Sequence, residues 1–169
     1  MIRSPNKHGV HPPERKAGAR SPREVERMCS RFATECRRRG VRLTEQRLAV
    51  YRALARDATH PTAETVYARL RVAMLGLSRA SVYRILESLE MEGFSRRVST
   101  TDGVGRFEAN LANHQHLVCR YCGRITDFEA DPGITLPKGV PGGFVPERLD
   151  VSIIGTCGKC RRRVGRHNA

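Results

Sequence analysis

Two Cys-x-x-Cys pairs, Cys119-Arg-Tyr-Cys122 and Cys157-Gly-Lys-Cys160, constrain this chain more than any other feature. Four thiolates complete a tetrahedral shell for Zn(II) and leave no position for a substrate, so the expected site is structural rather than catalytic. The stretch between Cys122 and Cys157 is longer than a zinc ribbon uses, so it must itself hold folded structure. At 169 residues the chain makes one ordinary domain or two small ones, near the size where a metal staple adds needed stability. A disulfide framework would require an oxidising compartment. The N-terminus, Met1-Ile-Arg-Ser-Pro-Asn-Lys-His-Gly, lacks the apolar centre of a signal peptide, which points to a reducing cytoplasm. Cys29 and Cys36 lie seven apart on the apolar side of a helical pattern and read as plain buried residues.

Charge narrows the partners. Lys+Arg 31 against Asp+Glu 17 gives a formal net charge of +14, which draws polyanions from a distance and makes nucleic acid the leading partner. No apolar run approaches the ~20 residues of a membrane-spanning helix. Exposed base-stacking rings, the hallmark of a zinc-ribbon RNA binder, suit a chain of only 5% aromatic residues poorly.

The periodicity divides the chain into four parts. Residues 1–20 mix prolines, glycines and basic residues and are expected to form a disordered basic arm. Residues 21–108 read as a winged helix-turn-helix domain. Ser21-Pro22-Arg23-Glu24 is a capping box opening a helix with Val25, Met28, Cys29, Phe32 and Cys36 inward. Thr44 caps a second helix, Thr62 a third running toward Gly76, and Ser78 a fourth with Val82, Ile85, Leu86 and Leu89 on one stripe. A hairpin follows, turning at Thr101-Asp102-Gly103, with Arg96, Arg97 and Arg106 expected to form a cationic stripe along it. The fourth helix is the expected reader of the major groove, presenting Arg79, Ser81, Tyr83 and Arg84. Residues 109–160 read as a second domain with strands at His114–Cys119, Ile125–Phe128 and Leu149–Ile154, and 161–169 as a basic tail. Three prolines and four glycines within 131–143 exclude a continuous helix there.

His114 and His116, two apart on a strand, leave the same face of it. Two surface histidines are the plain alternative. Glu108 and Asp127 near that strand, with His60 in the connection before the third helix, add oxygen and nitrogen donors suited to Fe(II), Mn(II) or Zn(II). An enzyme activating water at such a centre is a competing reading, but five ligands leave little room for substrate. No nucleophile or phosphate-cradling glycine loop stands beside it, so no enzyme activity is expected.

These segments together resemble the ferric uptake regulator family of bacterial metal-responsive repressors. The resemblance rests on Leu43-Thr-Glu-Gln-Arg-Leu-Ala-Val50, His60-Pro-Thr-Ala-Glu64, Ser81-Val-Tyr-Arg84, Leu86-Glu-Ser-Leu89, Arg106-Phe-Glu108, His114-x-His116 and the cysteine pairs. It implies an α+β fold, with an N-terminal winged helix-turn-helix domain and a small C-terminal α/β dimerisation domain. It further implies a cytoplasmic, nucleoid-associated homodimer whose regulatory metal closes two winged helices on a palindromic double-stranded DNA operator. By position, Cys119, Cys122, Cys157 and Cys160 match the structural Zn(II) ligands, and His60, Glu108, His114, His116 and Asp127 match a regulatory site for Fe(II) or Mn(II). Tyr83 and Arg84 match the DNA-contacting pair.

Asp127 resembles the peroxide-sensing branch, in which His60 and His114 would be the oxidation targets and peroxide the only small-molecule signal. Glu108 resembles the iron-responsive branch instead. Three departures stand out: Ile85 replaces a usual Asn, the Pro/Gly-rich stretch 131–143 replaces a helix, and Glu147-Arg-Leu-Asp150 lacks the histidines of a further peripheral metal site.

Overall fold

Each of the first four helices begins on a hydroxyl. In the computed structural model, which describes residues 20–98, 100, 103–129, 133–134, 141–145 and 149–164, these are α1 (Pro22–Arg38), α2 (Glu45–Arg56), α3 (Ala63–Leu70) and α4 (Arg79–Met91). Ser21, Thr44, Thr62 and Ser78 each accept the backbone N–H three residues on, satisfying a donor that the first helical turn leaves without a partner. All four caps agree with the sequence reading. α3 is shorter than its pattern suggests and closes at Leu70.

The helices bury one continuous core. Phe32 stacks on Tyr51 with ring centroids 4.1 Å apart and meets Phe94 edge-on at 4.8 Å. Val66, Val82, Leu54, Leu86 and Leu89 fill the space between α2, α3 and α4, each burial being worth roughly 1.5–3 kcal/mol. Cys29 and Cys36 lie in this core, where burial pushes both thiols up and leaves them unreactive packing groups, as expected. Ile85 packs against the same core at its edge, so the departure at this position serves helix packing.

Arg20 departs from the mobile-arm reading. Its backbone N–H donates to the Arg56 carbonyl at 3.2 Å and its guanidinium to Ala55 at 3.0 Å. A cation at the C-terminal carbonyls of α2 is favoured by the helix dipole, so Arg20 belongs to the folded part. The rest of the arm lies outside the described residues, as do Thr101 and Asp102 of the hairpin turn.

Strands β1 (Arg96–Val98) and β2 (Arg106–Glu108) pair antiparallel, with Arg96 opposite Glu108 and Val98 opposite Arg106. Thr62 bridges Arg106, and the Phe107 N–H donates to the Pro61 carbonyl at 3.0 Å. The chain entering α3 therefore meets the wing along β2.

The second sheet has the order β4-β3-β5, from β3 (Gln115–Cys119), β4 (Ile125–Phe128) and β5 (Ser152–Gly155). β4 runs antiparallel to β3 with His116 opposite Asp127, whereas β5 runs parallel to it with Cys119 opposite Gly155. Leu117, Ile153 and Ile154 stand 41, 49 and 50% exposed on these strands. Among residues 131–143, Pro141–Gly143 form a short 3-10 turn; most of that stretch, with Glu147 and Arg148, lies outside the described residues. The basic run opens as a helix rather than a tail. α5 (Gly158–Val164) starts at the second cysteine pair, where the Arg161 N–H donates to the Cys157 carbonyl at 2.9 Å. The chain is thus α+β, a winged helix followed by a small sheet.

Candidate metal centres and nucleic-acid interface

The parallel register of β3 and β5 delivers the thiols. Cys119 ends β3 and Cys157 follows β5 two residues after its last residue, so the Cys157 N–H reaches Cys119 Sγ at 3.3 Å. The tight turn at Gly123 (φ 63) returns the chain into β4 and leaves Cys122 beside Cys157, with Sγ atoms 3.8 Å apart. A tetrahedron of thiolates around zinc at ~2.3 Å has edges of ~3.8 Å, so this spacing fits one ion. The electrostatics also call for a cation. Backbone N–H groups, that of Cys157 foremost, bring the Cys119 thiol down to about 6, while burial and the neighbouring sulfurs push Cys160 up to about 12. Four sulfurs this close cannot all ionise without a positive centre.

The second cluster unites five residues brought from separate elements. His60, Glu108, His114, His116 and Asp127 each offer one donor atom, and these atoms all lie within 4.8 Å of one another. His60 is delivered by the segment leading to α3, docked on β2. Glu108 ends β2, His114 immediately precedes β3, and His116 and Asp127 are cross-strand partners on β3 and β4. His60 has φ 57, the left-handed region that a side chain with a Cβ seldom occupies, and is almost fully buried. Upstream, the Asp57 carboxylate accepts the Thr59 N–H at 2.7 Å and the Thr59 hydroxyl at 2.6 Å, and pairs with Arg69. That bonding holds the turn presenting His60.

The donor atoms converge on a centre rather than on aligned partners. His60 Nε2 and Asp127 Oδ1 are 3.0 Å apart, yet both are buried without a geometrically aligned hydrogen bond. His114 Nε2 lies 3.0 Å from Glu108 Oε2 and 3.1 Å from His116 Nε2. The Ala112 carbonyl lies 2.8 Å from His114 Nδ1, so this nitrogen donates its proton there and Nε2 faces the cluster. Burial disfavours charge on His60, but the carboxylates of Asp127 and Glu108 outweigh it and lift its pKa to about 9. Glu108 raises His114 likewise. Burial also opposes ionisation of Glu108 and Asp127, and the surrounding imidazoles overcome it, holding both carboxyls below their usual range. The cluster is therefore ionised and protonated on its own, and a divalent cation can replace the protons that hold it together. Three imidazoles and two carboxylates suit Fe(II), Mn(II) or Zn(II).

On α4, Tyr83 and Arg84 stand exposed, and Arg84 Nε donates to the Ala80 carbonyl of its own helix, 3.4 Å away. Arg79 sits over the Tyr67 ring, 5.4 Å from its centroid, and near Glu64 at 3.6 Å. The Ser81 hydroxyl is engaged with Ser78 at 2.9 Å.

The cationic stripe on the wing requires a correction. Arg97 is exposed, pairs with Glu90 at 3.2 Å and covers Phe107, but Arg96 is buried and turned inward, its Nε 2.7 Å from Glu108 Oε1. Strand alternation explains this, because Arg96 shares a face with buried Val98 while Arg97 faces out. That alternation was the available signal. A paired buried carboxylate outweighed the usual preference of arginine for solvent.

A two-stranded wing met by the segment before α3, a second small sheet and two clusters with metal-ligand chemistry define a winged-helix metal-binding protein. The chain matches the model of the Ferric uptake regulator family over residues 38–141, more than half its length, and belongs to that family. Peroxide-responsive repressor PerR of Staphylococcus aureus is 38% identical over 93 residues, which are 55% of this chain and 63% of the relative. The match thus spans less than two thirds of the length of that curated relative. Among solved structures, the Helicobacter pylori ferric uptake regulator Fur, described as having three functional metal binding sites, aligns with a TM-score of 0.63 at 27% identity over 81% of this chain and 93% of its own. A zinc-bound manganese uptake regulator aligns with a TM-score of 0.53 at 25% identity, covering 78% of this chain and 98% of its own.

Proposed function

We propose that this chain is a metal-dependent, DNA-binding transcriptional repressor that works as a cytoplasmic homodimer and senses hydrogen peroxide. The observation that carries the reading is the five-residue cluster, whose donor atoms within 4.8 Å come from both the winged helix and the second sheet. An ion held there fixes the winged helix against the sheet, so metal occupancy selects one arrangement of the DNA-binding surface. In this reading residues 21–108 bind DNA and residues 109–160 dimerise. Cys119, Cys122, Cys157 and Cys160 hold structural Zn(II), and the five-residue cluster holds Fe(II) or Mn(II). Arg79, Ser81, Tyr83 and Arg84 face a palindromic operator. The exposed Leu117, Ile153 and Ile154 support self-association, since a second copy would cover them.

Asp127 and the similarity to PerR support the peroxide branch. Bound Fe(II) would supply the redox chemistry that splits the O–O bond, and the two electrons lost overall come from the imidazole. Net, one oxygen atom of peroxide joins the imidazole of His60 or His114 and the other leaves as water. His60, presented by a strained turn, then lets go of the centre. A second reading, an iron-responsive repressor without peroxide sensing, is favoured by Glu108.

Operator binding in Fe(II) and in Mn(II), each with and without sub-millimolar peroxide, tests the function, with mass spectrometry of the recovered protein. The peroxide reading expects release from DNA and one added oxygen on His60 or His114 in the iron form only. Intact binding with unmodified histidines leaves the iron-responsive reading, and metal-independent binding rejects both.

A further inference from the structure

We propose that Arg96 is a positioning residue of the five-residue centre: it holds one oxygen of Glu108 away from the ion, so that Glu108 contributes the other oxygen alone. This rests on the reading of that cluster as a metal site. Arg96 stands directly across β1–β2 from Glu108, and both side chains are buried, at 6 and 2% exposure. The two oxygens of Glu108 face different neighbours. Oε2 lies 3.0 Å from His114 Nε2 and 3.4 Å from His60 Nε2, whereas Oε1 lies 2.7 Å from Arg96 Nε, an ion-pair contact without an aligned hydrogen bond, because the Nε N–H is directed at the Asn110 carbonyl 3.2 Å away. Yet Oε1 is also only 3.4 Å from His116 Nε2, close enough to join the centre if it were released.

The guanidinium is not free to follow Glu108. Its Nη2 donates to the carbonyls of Asn110 at 2.7 Å and Ala112 at 2.6 Å, and its Nη1 lies 3.7 Å from Asp150 Oδ1. The Ala112 carbonyl is the same one that fixes the His114 tautomer. One buried cation thus braces the supports of two ligands, and its planar fork has the geometry to do so. Two consequences follow. A fixed positive charge beside the centre lowers its affinity for a cation, and withholding Oε1 limits the chain to five ligand atoms. A six-coordinate ion bound there would keep one position for an exchangeable ligand. With Arg96 neutralised, Glu108 can offer both oxygens.

The test uses the full-length protein with zinc retained in the thiolate site. Mn(II) affinity is measured by the resonance signal of free Mn(II), and Co(II) reports coordination number through its visible bands, which weaken on going from five to six ligands. The variants are Arg96→Met, Arg96→Gln, which keeps amide donors for the two carbonyls if the Met variant does not fold, and Arg96→Lys, which keeps the charge. Neutral variants are expected to bind Mn(II) about tenfold tighter or more and to show weaker Co(II) bands, with Arg96→Lys close to the parent. Unchanged bands with equal or weaker affinity in the neutral variants would overturn the role of Arg96. Failure of the parent protein to bind Mn(II) or Co(II) at these residues would instead overturn the metal reading beneath it.

Discussion

Asp57→Ala probes the turn that presents His60. Asp57 is buried at the C-terminus of α2, and its carboxylate accepts two bonds from Thr59 and pairs with Arg69. Each bond to a buried charged acceptor is worth about 1.5 kcal/mol. Arg69 is half-exposed, so solvent screening limits that pair to about 0.5 kcal/mol or less. The variant should therefore lose about 3 kcal/mol of stability at neutral pH, read as a lower urea midpoint with little change in slope. The acid dependence provides an independent check. Burial opposes ionisation of Asp57, but the Thr59 donors and Arg69 outweigh it and lower its pKa. A carboxyl lowered in the folded state stabilises above its unfolded value, ~3.9, and loses that contribution as pH falls through the folded value. The stability gap between parent and variant should be full at pH 5 and shrink at lower pH. The turn also holds His60 at φ 57, a conformation costing about 1–2 kcal/mol; any of that strain relieved once the bracing is gone would offset part of the loss and leave no less than about 1 kcal/mol. Mn(II) affinity should fall alongside stability. A loss under about 1 kcal/mol, or a gap that does not change with acid, would refute the bracing argument.

Three further outcomes are expected. Cys119→Ser or Cys157→Ser should lose zinc and the β3–β5 pairing together, because thiolate zinc supplies apparent folding energy on the order of 10 kcal/mol; a zinc-free protein with native circular dichroism would contradict this. Arg84→Ala should weaken operator binding by ~1–3 kcal/mol, whereas removing residues 1–19 should mainly flatten the salt dependence, both read from titrations across salt concentrations. Phe32→Ala should cost ~3–5 kcal/mol in thermal or urea unfolding, since its ring is fully buried between Tyr51 and Phe94.

Local chemistry made much of this molecule legible. Capping hydroxyls at Ser21, Thr44, Thr62 and Ser78 marked helix starts because the donors they satisfy lie within three residues. Cysteine spacing and the His-x-His repeat put ligands together because adjacent pairs share a turn or a strand face. What escaped depends on contacts between distant segments. Arg96 reads as one more surface arginine until Glu108 is placed opposite it, and Arg20 reads as tail until the carbonyls of Ala55 and Arg56 are placed beside it. The left-handed backbone at His60 likewise depends on a distant contact, the docking of Pro61 and Thr62 on β2.

The parallel pairing of β3 with β5 bears on how freely the intervening chain can vary. Neighbouring parallel strands need a long crossover, and here their far ends carry the two halves of one thiolate cluster. A cross-link of that kind restricts the unfolded chain, and doubling the length of the enclosed loop changes its closure entropy by only about 0.6 kcal/mol. Insertions, deletions and replacements between Glu129 and Leu149 are therefore thermodynamically cheap so long as both strands, the contacts of Asp150 and Val151 and all four cysteines survive. Proline and glycine can fill that stretch without separating the two cysteine pairs.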